Sequence, residues 1–331
     1  MTQGRPSKWL ITGGCGFIGV NLVERLTARG DRVRILDNLS VGSRDDLRCV
    51  TDFAEGDAGG GDRAAVELIV GDIRDAEAVD RAVRGVDAVV HLAAQTGVMP
   101  SLEDPGLGCQ LNVGGTLNLL MAARKHGVER FVFASSGATL GDQSLPLHEE
   151  KVPKPESPYG ASKLAGEAYC QAFHRAFGLS AVCLRFSNVY GPYSFKKGSV
   201  VAQFLRSAFA GRPLVIFGDG SQTRDFIHAS DICQAILKAS SRDVGGEVFQ
   251  IATERETTIE ELAERVQTLF RSRLDRRVEI IHEPRRSGEV LRNTSRITKA
   301  RTLLEFHPEV ELDRGLEETF SWFEAMRRGE A

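Results

Sequence analysis

The stretch KWLITGGCGFIGVNLVERL, residues 8–26, limits what this chain can fold into more than any other part of it. An apolar run, WLIT, enters a cluster of glycines and leaves as an amphipathic run from Gly19 onward. Gly14, Gly16 and Gly19 spell GxGxxG, while Gly13, Gly16 and Gly19 spell GxxGxxG. Either describes a strand turning through glycine into a helix whose first N–H groups and dipole receive a pyrophosphate, so either points to a dinucleotide. A glycine-rich strand-to-helix turn that binds nothing fits the stretch equally well. The decision lies downstream.

The first half alternates aliphatic runs (WLIT, VRILD, VELIVGDI, AVVHLAA, FVFASS, AVCLRF) with helical patterns over 19–29, 112–126 and 159–177. Continuous apolar strands alternating with helices imply a parallel sheet covered on both faces. The expected fold class is α/β: a Rossmann-type doubly wound parallel sheet with a smaller α+β lobe. Residues 1–185 form the dinucleotide domain and 186–331 the lobe, with 225–252 returning to the large domain. Helices are expected over 200–210, where Ser199 is the N-cap and Gly211 follows the end, and over 258–270 and 312–327. The polar, glycine-rich run 55–63 reads as a surface loop without strand or helix around it.

A chain of 331 residues has room for two domains of about 150 residues each. A net charge of −3, with its charges interspersed, provides no basic field for nucleic acid or an acidic membrane, which leaves a small molecule as the expected partner. The six cysteines stand far apart, without CxxC pairs, so neither a metal site nor a disulfide framework is expected, only reduced and mostly buried thiols. No run approaches a membrane span and no signal peptide is visible. A cytoplasmic protein is expected.

Asp37 ends the second strand about 20 residues beyond the glycines, where a carboxylate accepts the hydroxyls of an adenosine ribose and repels a 2′-phosphate. This favours NAD over NADP. Asp72, in GDIRD, stands at another strand end where it could meet the adenine. In SPYGASKLAGE, Tyr159 and Lys163 lie four apart on one helix face. A tyrosine of pKa near 10 is a poor base at neutral pH, but an adjacent ammonium and a positive nicotinamide both favour its phenolate. Ser136, at the end of FVFASS, could orient the same substrate oxygen.

With these cues in order, the chain resembles the extended short-chain dehydrogenase/reductases, in their NAD-dependent epimerase/dehydratase family. The matching stretches are TGGCGFIG, LDNLS, GDIRD, HLAA, NVGGTLNLL, SSGATLG, PYGASK, RFSNVYGP, IFGDGSQTRDFIH and SGEV. The resemblance selects Gly13, Gly16 and Gly19 as the fingerprint. It implies an NAD site lined by these and by Phe17, Ile18, Asp37, Asn38, Asp72, Ile73, Leu92, Ala93, Ala94, Asn112, Tyr159 and Lys163, with Ser136, Tyr159 and Lys163 catalytic. It also implies a homodimer built on the helices over 112–126 and 159–177.

Family members oxidise a sugar C4 and differ in the fate of the resulting 4-keto sugar. Nucleotide-sugar 4,6-dehydratases resemble one another in an Asp-Glu pair after the catalytic Ser/Thr, and UDP-glucuronate decarboxylases in a Ser-Glu pair. This chain has Gly137-Ala138. The resemblance therefore implies a 4-epimerase like those acting on UDP-glucose or UDP-glucuronate, although Thr139-Leu140-Gly141 departs from the Val-Tyr-Gly of UDP-galactose 4-epimerases. Expected substrate residues are Ser136, Thr139, Asn188, Val200 at a helix start, Phe217 near the uracil, and Arg224 and Arg286 on the diphosphate. Thr139, Ser135 or backbone N–H groups could anchor a C6 carboxylate. Asn293 implies a small gate at C2, and Arg296 a change of charge nearby.

Overall fold

A computed structural model describes residues 8–56, 64–285 and 291–329 of the chain. Seven strands, β1 (Lys8–Thr12), β2 (Arg32–Asp37), β3 (Ala54–Glu55), β4 (Val66–Val70), β5 (Ala88–His91), β6 (Arg130–Ser136) and β7 (Ala181–Phe186), join Val248–Ile251 in one sheet. Its order is Val248–Ile251, β7, β6, β5, β1, β2, β4, β3, and every pair in it is parallel. From β1 the chain builds outward through β2 to β4, then crosses back to place β5 on the other side of β1. That reversal opens a crevice at the carboxyl ends of β1 and β5, the place where such sheets bind ligands.

Both faces of the sheet are buried, which explains the unbroken apolar strands. Alternate residues part to opposite sides: Trp9, Ile11, Val132 and Ala134 join one core, Leu10, Phe131 and Phe133 the other. The first core is closed by the helix Phe17–Ala28, by Ala229–Ser241, and by Ile297, Ala300, Leu304 and Phe306. The second is closed by Ala76–Val83, Thr116–Lys125 and Pro158–Phe177. The loop expected over 55–63 fails at Glu55, which pairs with Leu68 at the sheet edge; residues 57–63 lie outside the described residues.

A separate core holds the lobe together, formed by the helices Val200–Phe209, Ile259–Leu274 and Leu312–Arg328 with the parallel pair Leu214–Phe217 and Ile280–Glu283. Phe209, Phe270 and Phe320 meet there with ring centroids 4.7–5.0 Å apart. Each such burial stabilises by about 1.5–3 kcal/mol, and each ring pair adds about 0.5–1.5. Thr258 is the N-cap rather than the first residue of its helix, in a capping box with Glu261.

Candidate active site

The glycine loop sits at the crevice. Gly13 takes φ +71°, a left-handed conformation that side chains resist, and a Cβ on it would lie 2.8 Å from the Ala93 nitrogen. Gly19 lets the first helix lie against the loop, because a Cβ there would stand 2.4 Å from the Gly13 oxygen and 2.6 Å from the Gly14 Cα. Gly16 is the N-cap of Phe17–Ala28 and has no side chain to cap the helix. The first-turn N–H groups, at Phe17 and Ile18 among them, therefore face the crevice without an internal acceptor, which fits a cofactor pyrophosphate.

Asp37 is buried at the end of β2. Its carboxylate accepts from the Cys15 nitrogen at 2.9 Å and from the Leu39 nitrogen at 2.8 Å, so it braces the glycine loop and the turn beyond. Burial pushes its pKa up against those hydrogen bonds. Each oxygen retains a second lone pair, enough for a ribose diol. Asn38 donates to Asp72 at 3.2 Å, and Asp72 is held down to about 2 chiefly by Arg74, which grips it at 2.8–3.0 Å. Ile73 is buried against Gly115, where a Cβ would come within 2.5 Å of its Cδ1.

Beyond β5, Leu92, Ala93 and Ala94 line the carboxyl edge. The Leu92 and Ala93 nitrogens donate to the Thr12 carbonyl and hydroxyl at 3.1 and 3.3 Å. Asn112 clasps the next turn: its amide accepts from the Gln95 nitrogen at 2.8 Å and donates to the Gln95 carbonyl at 3.0 Å and to Ser162 at 2.9 Å. The helix expected over 112–126 is corrected here. Residues Cys109–Gly115 are wound as a π-helix before Thr116–Lys125 begins, and the clasp made by Asn112 lies within that widened turn.

Three groups converge at the end of β6. Ser136 hydrogen-bonds the Tyr159 phenol, which opposes the upward push of burial on that tyrosine. Lys163, buried, donates to the Ala134 carbonyl at 2.8 Å and lies 4.9 Å from the Phe133 ring centroid. Desolvation lowers it to about 8, while Cys170 and Glu167 act the other way. His91 beneath them bridges Thr12 and Thr116 at 2.7 and 2.9 Å and is depressed to about 3 by burial and by Lys163, so it stays neutral. The arrangement can move a proton to and from an oxygen placed between Ser136 and Tyr159, with a buried ammonium one helical turn along from the tyrosine.

The two hydroxyls expected to meet a C6 carboxylate do not face it. Ser135 alternates to the other side of β6 and donates to Glu167 at 2.5 Å. Thr139 is fully buried and donates to the Ser136 carbonyl at 3.0 Å.

From the lobe, Asn188 donates to the Asp225 carbonyl at 3.3 Å, Arg224 to the Thr223 carbonyl at 2.8 Å, and Phe217 ends its strand half-buried. Val200 opens the helix Val200–Phe209, whose N-cap, Ser199, makes no capping bond; its buried Oγ has no partner among the described residues. That helix end is thus open to an anion. Arg286 and the SGEV that follows it lie outside the described residues. Asn293 is half-buried and Arg296 exposed, with Thr294 and Ser295 buried between them. Four cysteines are buried, Cys49 and Cys109 are exposed, and all six are free.

Sequence reading missed Lys197. Its ammonium donates to the Val189 carbonyl at 2.6 Å and lies 5.0 Å from the centroid of the Phe17 ring, and among the described residues no carboxylate pairs with it. Burial lowers it to about 8. The only signal was KKG in a lobe loop, which reads as solvated charge.

Residues 9–252 match the model of the NAD dependent epimerase/dehydratase family. The chain belongs to that family. It is 35% identical over 324 residues to a putative UDP-glucose 4-epimerase of Methanocaldococcus jannaschii, a match covering 96% of this chain and 99% of the relative. The UDP-glucose 4-epimerase of Thermotoga maritima, solved with UDP-glucose, superposes with a TM-score of 0.86 at 33% identity, covering 97% of this chain and 99% of that one. The UDP-glucuronic acid 4-epimerase of Bacillus cereus, in complex with UDP-glucuronic acid and NAD, gives 0.86 at 27% identity, covering 96% and 99%. Relatives at 34% and 32% identity are a dTDP-glucose 4,6-dehydratase of Streptomyces niveus and a UDP-N-acetyl-alpha-D-glucosaminuronate decarboxylase of Bacillus cytotoxicus, each aligned along nearly its whole length. NAD is the cofactor of the family, and the open helix end at Gly16 and the carboxylate of Asp37 suit it.

Proposed function

We propose that this family member is a 4-epimerase of a UDP-hexose, working through a transient 4-keto sugar. The observation that carries the reading is the turn after Ser136. Dehydration across C5 and C6 needs an acid and a base there; the chain instead makes a tight turn, Gly137–Thr139, whose one hydroxyl is engaged with the backbone. The helix bearing Tyr159 closes over it, since a Cβ on Gly160 would lie 2.4 Å from the Ala138 oxygen. With no carboxylate in that turn to drive dehydration, the oxidised neutral sugar is free to turn over and be reduced on its other face.

Bound NAD would supply the acceptor and donor of hydride at C4. Tyr159 takes the proton from the 4-hydroxyl and returns it to the same oxygen after the sugar has turned over. Ser136 holds that oxygen, and Lys163 favours the phenolate. Affinity must reside in the nucleotide, because the pyranose has to rotate. The uncapped helix end at Val200, Asn188, Arg224 and Arg286 are assigned to the diphosphate, Phe217 to the uracil, and the residues from Gly13 to Asn112 named above to NAD.

UDP-glucose is the better substrate than UDP-glucuronate in this site. Once C4 is a ketone, a C6 carboxylate is β to it and leaves as carbon dioxide unless the C5–C6 bond is held near the carbonyl plane. Ser135 and Thr139, the hydroxyls that could have held it, are turned inward. Offering purified holoenzyme both sugars tests the reading. UDP-galactose is expected from UDP-glucose, without added NAD and without net NADH. UDP-pentose from the acid together with no UDP-galactose from UDP-glucose would refute the epimerase reading, and UDP-galacturonate without turnover of UDP-glucose would correct the substrate alone. Inertness toward every nucleotide sugar would favour a non-catalytic NAD-binding regulator.

We also infer a cytoplasmic homodimer. The helices Thr116–Lys125 and Pro158–Phe177 bury one side in the sheet core yet leave Met121, Tyr169 and Phe177 exposed on the other, beside Val98, Met99 and Leu102. Two such pairs can close a four-helix bundle across a two-fold axis. A single-chain mass by light scattering at all concentrations would overturn it. The free cysteines are in keeping with a reducing compartment, and none of the described helices is long and apolar enough to cross a membrane.

A further inference from the structure

On the helix Pro158–Phe177, Glu167 stands one turn beyond Lys163 and two beyond Tyr159, and it is as buried as Lys163. Its carboxylate is gripped by Arg185 of β7, Nε to Oε1 at 2.8 Å and Nη2 to Oε2 at 2.7 Å, and accepts from the Ser135 hydroxyl of β6 at 2.5 Å. Ser135 and Arg185 are cross-strand partners, and the next pair in register is Ser136 with Phe186. One carboxylate therefore ties the helix carrying Tyr159 and Lys163 to the strand carrying Ser136, immediately before the catalytic serine. The helix lies so close that a Cβ on Gly166 would meet the Phe133 ring at 2.3 Å, which leaves no slack for a different rotation.

We propose that Glu167, pinned by Ser135 and Arg185, is the positioning residue of the catalytic face: it sets the register of Tyr159 and Lys163 against Ser136 and balances the charge behind them. This rests on the reading of those three residues as the reacting set. The alternative is an ion pair that stabilises the fold and nothing more, and the two separate by experiment.

The charged and titratable groups around this face are His91 from β5, Cys183 and Arg185 from β7, Cys170 from the helix, and Glu149, Glu247 and Lys299 across a cavity of about 270 Å³ beyond the pair. Among them the Glu167 carboxylate offsets the Arg185 cation, whose Nη1 is buried without a hydrogen-bond partner among the described residues. Glu167→Gln keeps the volume and removes the charge. The uncompensated Arg185 then favours both deprotonated Lys163 and the Tyr159 phenolate, so both limbs of the kcat profile move to lower pH, by about half a unit or more, while KM for the UDP-hexose stays within about two-fold. A purely structural role lowers stability and the folded fraction, while the folded enzyme keeps its kcat and its profile.

A buried charge left alone can prevent folding, so the second variant is Glu167→Met with Arg185→Met, which removes the pair without leaving an ion and has the adjoining cavity to relax into. It is expected to fold, retain NAD, keep its pH profile and lose about ten-fold or more in kcat, since a displacement of about 1 Å at reacting groups costs on that order or more. A folded, NAD-loaded double variant with wild-type kcat overturns the proposal, as does an unshifted profile in Glu167→Gln. Ultraviolet difference titration of Tyr159 in the holoenzyme, against a Tyr159→Phe background, keeps the test independent of turnover. If the wild type epimerises no sugar, the proposed function fails. The acid shift of the Tyr159 titration in Glu167→Gln still supports the positioning charge, and its absence refutes it.

Discussion

Replacing Lys163 by methionine keeps an unbranched side chain of similar length and deletes the ammonium beside Tyr159. Helix neighbours four apart stand about 5–6 Å from each other. At an effective dielectric near 20, unit charges about 6 Å apart interact by roughly 3 kcal/mol, or ~2 pKa units. Below about pH 8, where Lys163 carries its proton, the phenolate of Tyr159 is favoured by that amount. At pH 7 the variant should turn over about 100-fold more slowly. The sign of the pH dependence comes from Lys163 itself: its folded pKa is lowered, so the ammonium is fully present well below pH 8 and is lost above it. The wild-type advantage should therefore be constant at low pH and shrink about ten-fold per unit once the pH passes roughly 8. The assay is initial-rate interconversion of UDP-glucose and UDP-galactose by anion-exchange chromatography, at saturating sugar, from pH 5.5 to about 9.5. Deleting the bond to the Ala134 carbonyl costs about 1–3 kcal/mol of stability, so folding and NAD content are checked beside it. A loss of equal size at every pH would show that Lys163 acts by position and not by charge.

Three further outcomes can be measured. Gly19→Ala forces a Cβ to within 2.4 Å of the Gly13 oxygen, and backbone cannot rotate away, so overpacking of about 1–3 kcal/mol should lower Tm and empty the enzyme of NAD, whereas Gly16→Ala, whose nearest contact is 3.2 Å, should be milder; equal behaviour of the two by calorimetry and NAD absorbance would contradict the crowding argument. Asp37→Asn removes the charge that repels a 2′-phosphate and should narrow the preference for NAD over NADP by about ten-fold or more in equilibrium dialysis of the apoenzyme, and an unchanged ratio would place the ribose elsewhere. Deuterium at C4 of UDP-glucose should survive epimerisation, because one carbon gives up and recovers the same hydride; its loss to water would point to enolisation, with Tyr159 acting on a C–H.

What could be read from the chain without its fold was whatever lies within one strand, one turn or one helix face. The glycine turn, Asp37 at the end of β2 and the pair Tyr159 and Lys163 are each set by spacing over a few residues, and the structure brings all of them to the carboxyl ends of β1, β2 and β6. The π-helical turn at Asn112 was not legible, because π and α differ by one residue in hydrogen-bond register and leave the same apolar pattern. Glu167, Ser135 and Arg185 were harder still: they come from three elements, 18 and 32 residues apart along the chain, and only the β6–β7 register makes them neighbours. The same limit explains Ser135, whose hydroxyl looked available from sequence until the two-residue period of β6 sent it to the opposite face from Ser136.

That last displacement reaches into the choice of substrate. In this site a single strand period decides which hydroxyl is offered to the sugar and which to the framework. Ser136, which we assign to the reacting oxygen, accepts from the Ala138 nitrogen, and Ser135 binds the Glu167 carboxylate on the helix of Tyr159 and Lys163. A chain that shifted this register by one residue would expose the framework hydroxyl and bury the catalytic one, so catalysis and helix docking cannot be varied separately here. On the proposed reading, substrate preference at C6 is assigned to groups outside that pairing, in the turn Gly137–Thr139, where substitution leaves the strand register intact. Changing Thr139 to a residue that frees or replaces its inward-turned hydroxyl should accordingly alter the ratio of UDP-glucose to UDP-glucuronate turnover while leaving NAD binding as it was. A change in NAD content with no change in that ratio would mean that the turn serves the cofactor rather than the sugar.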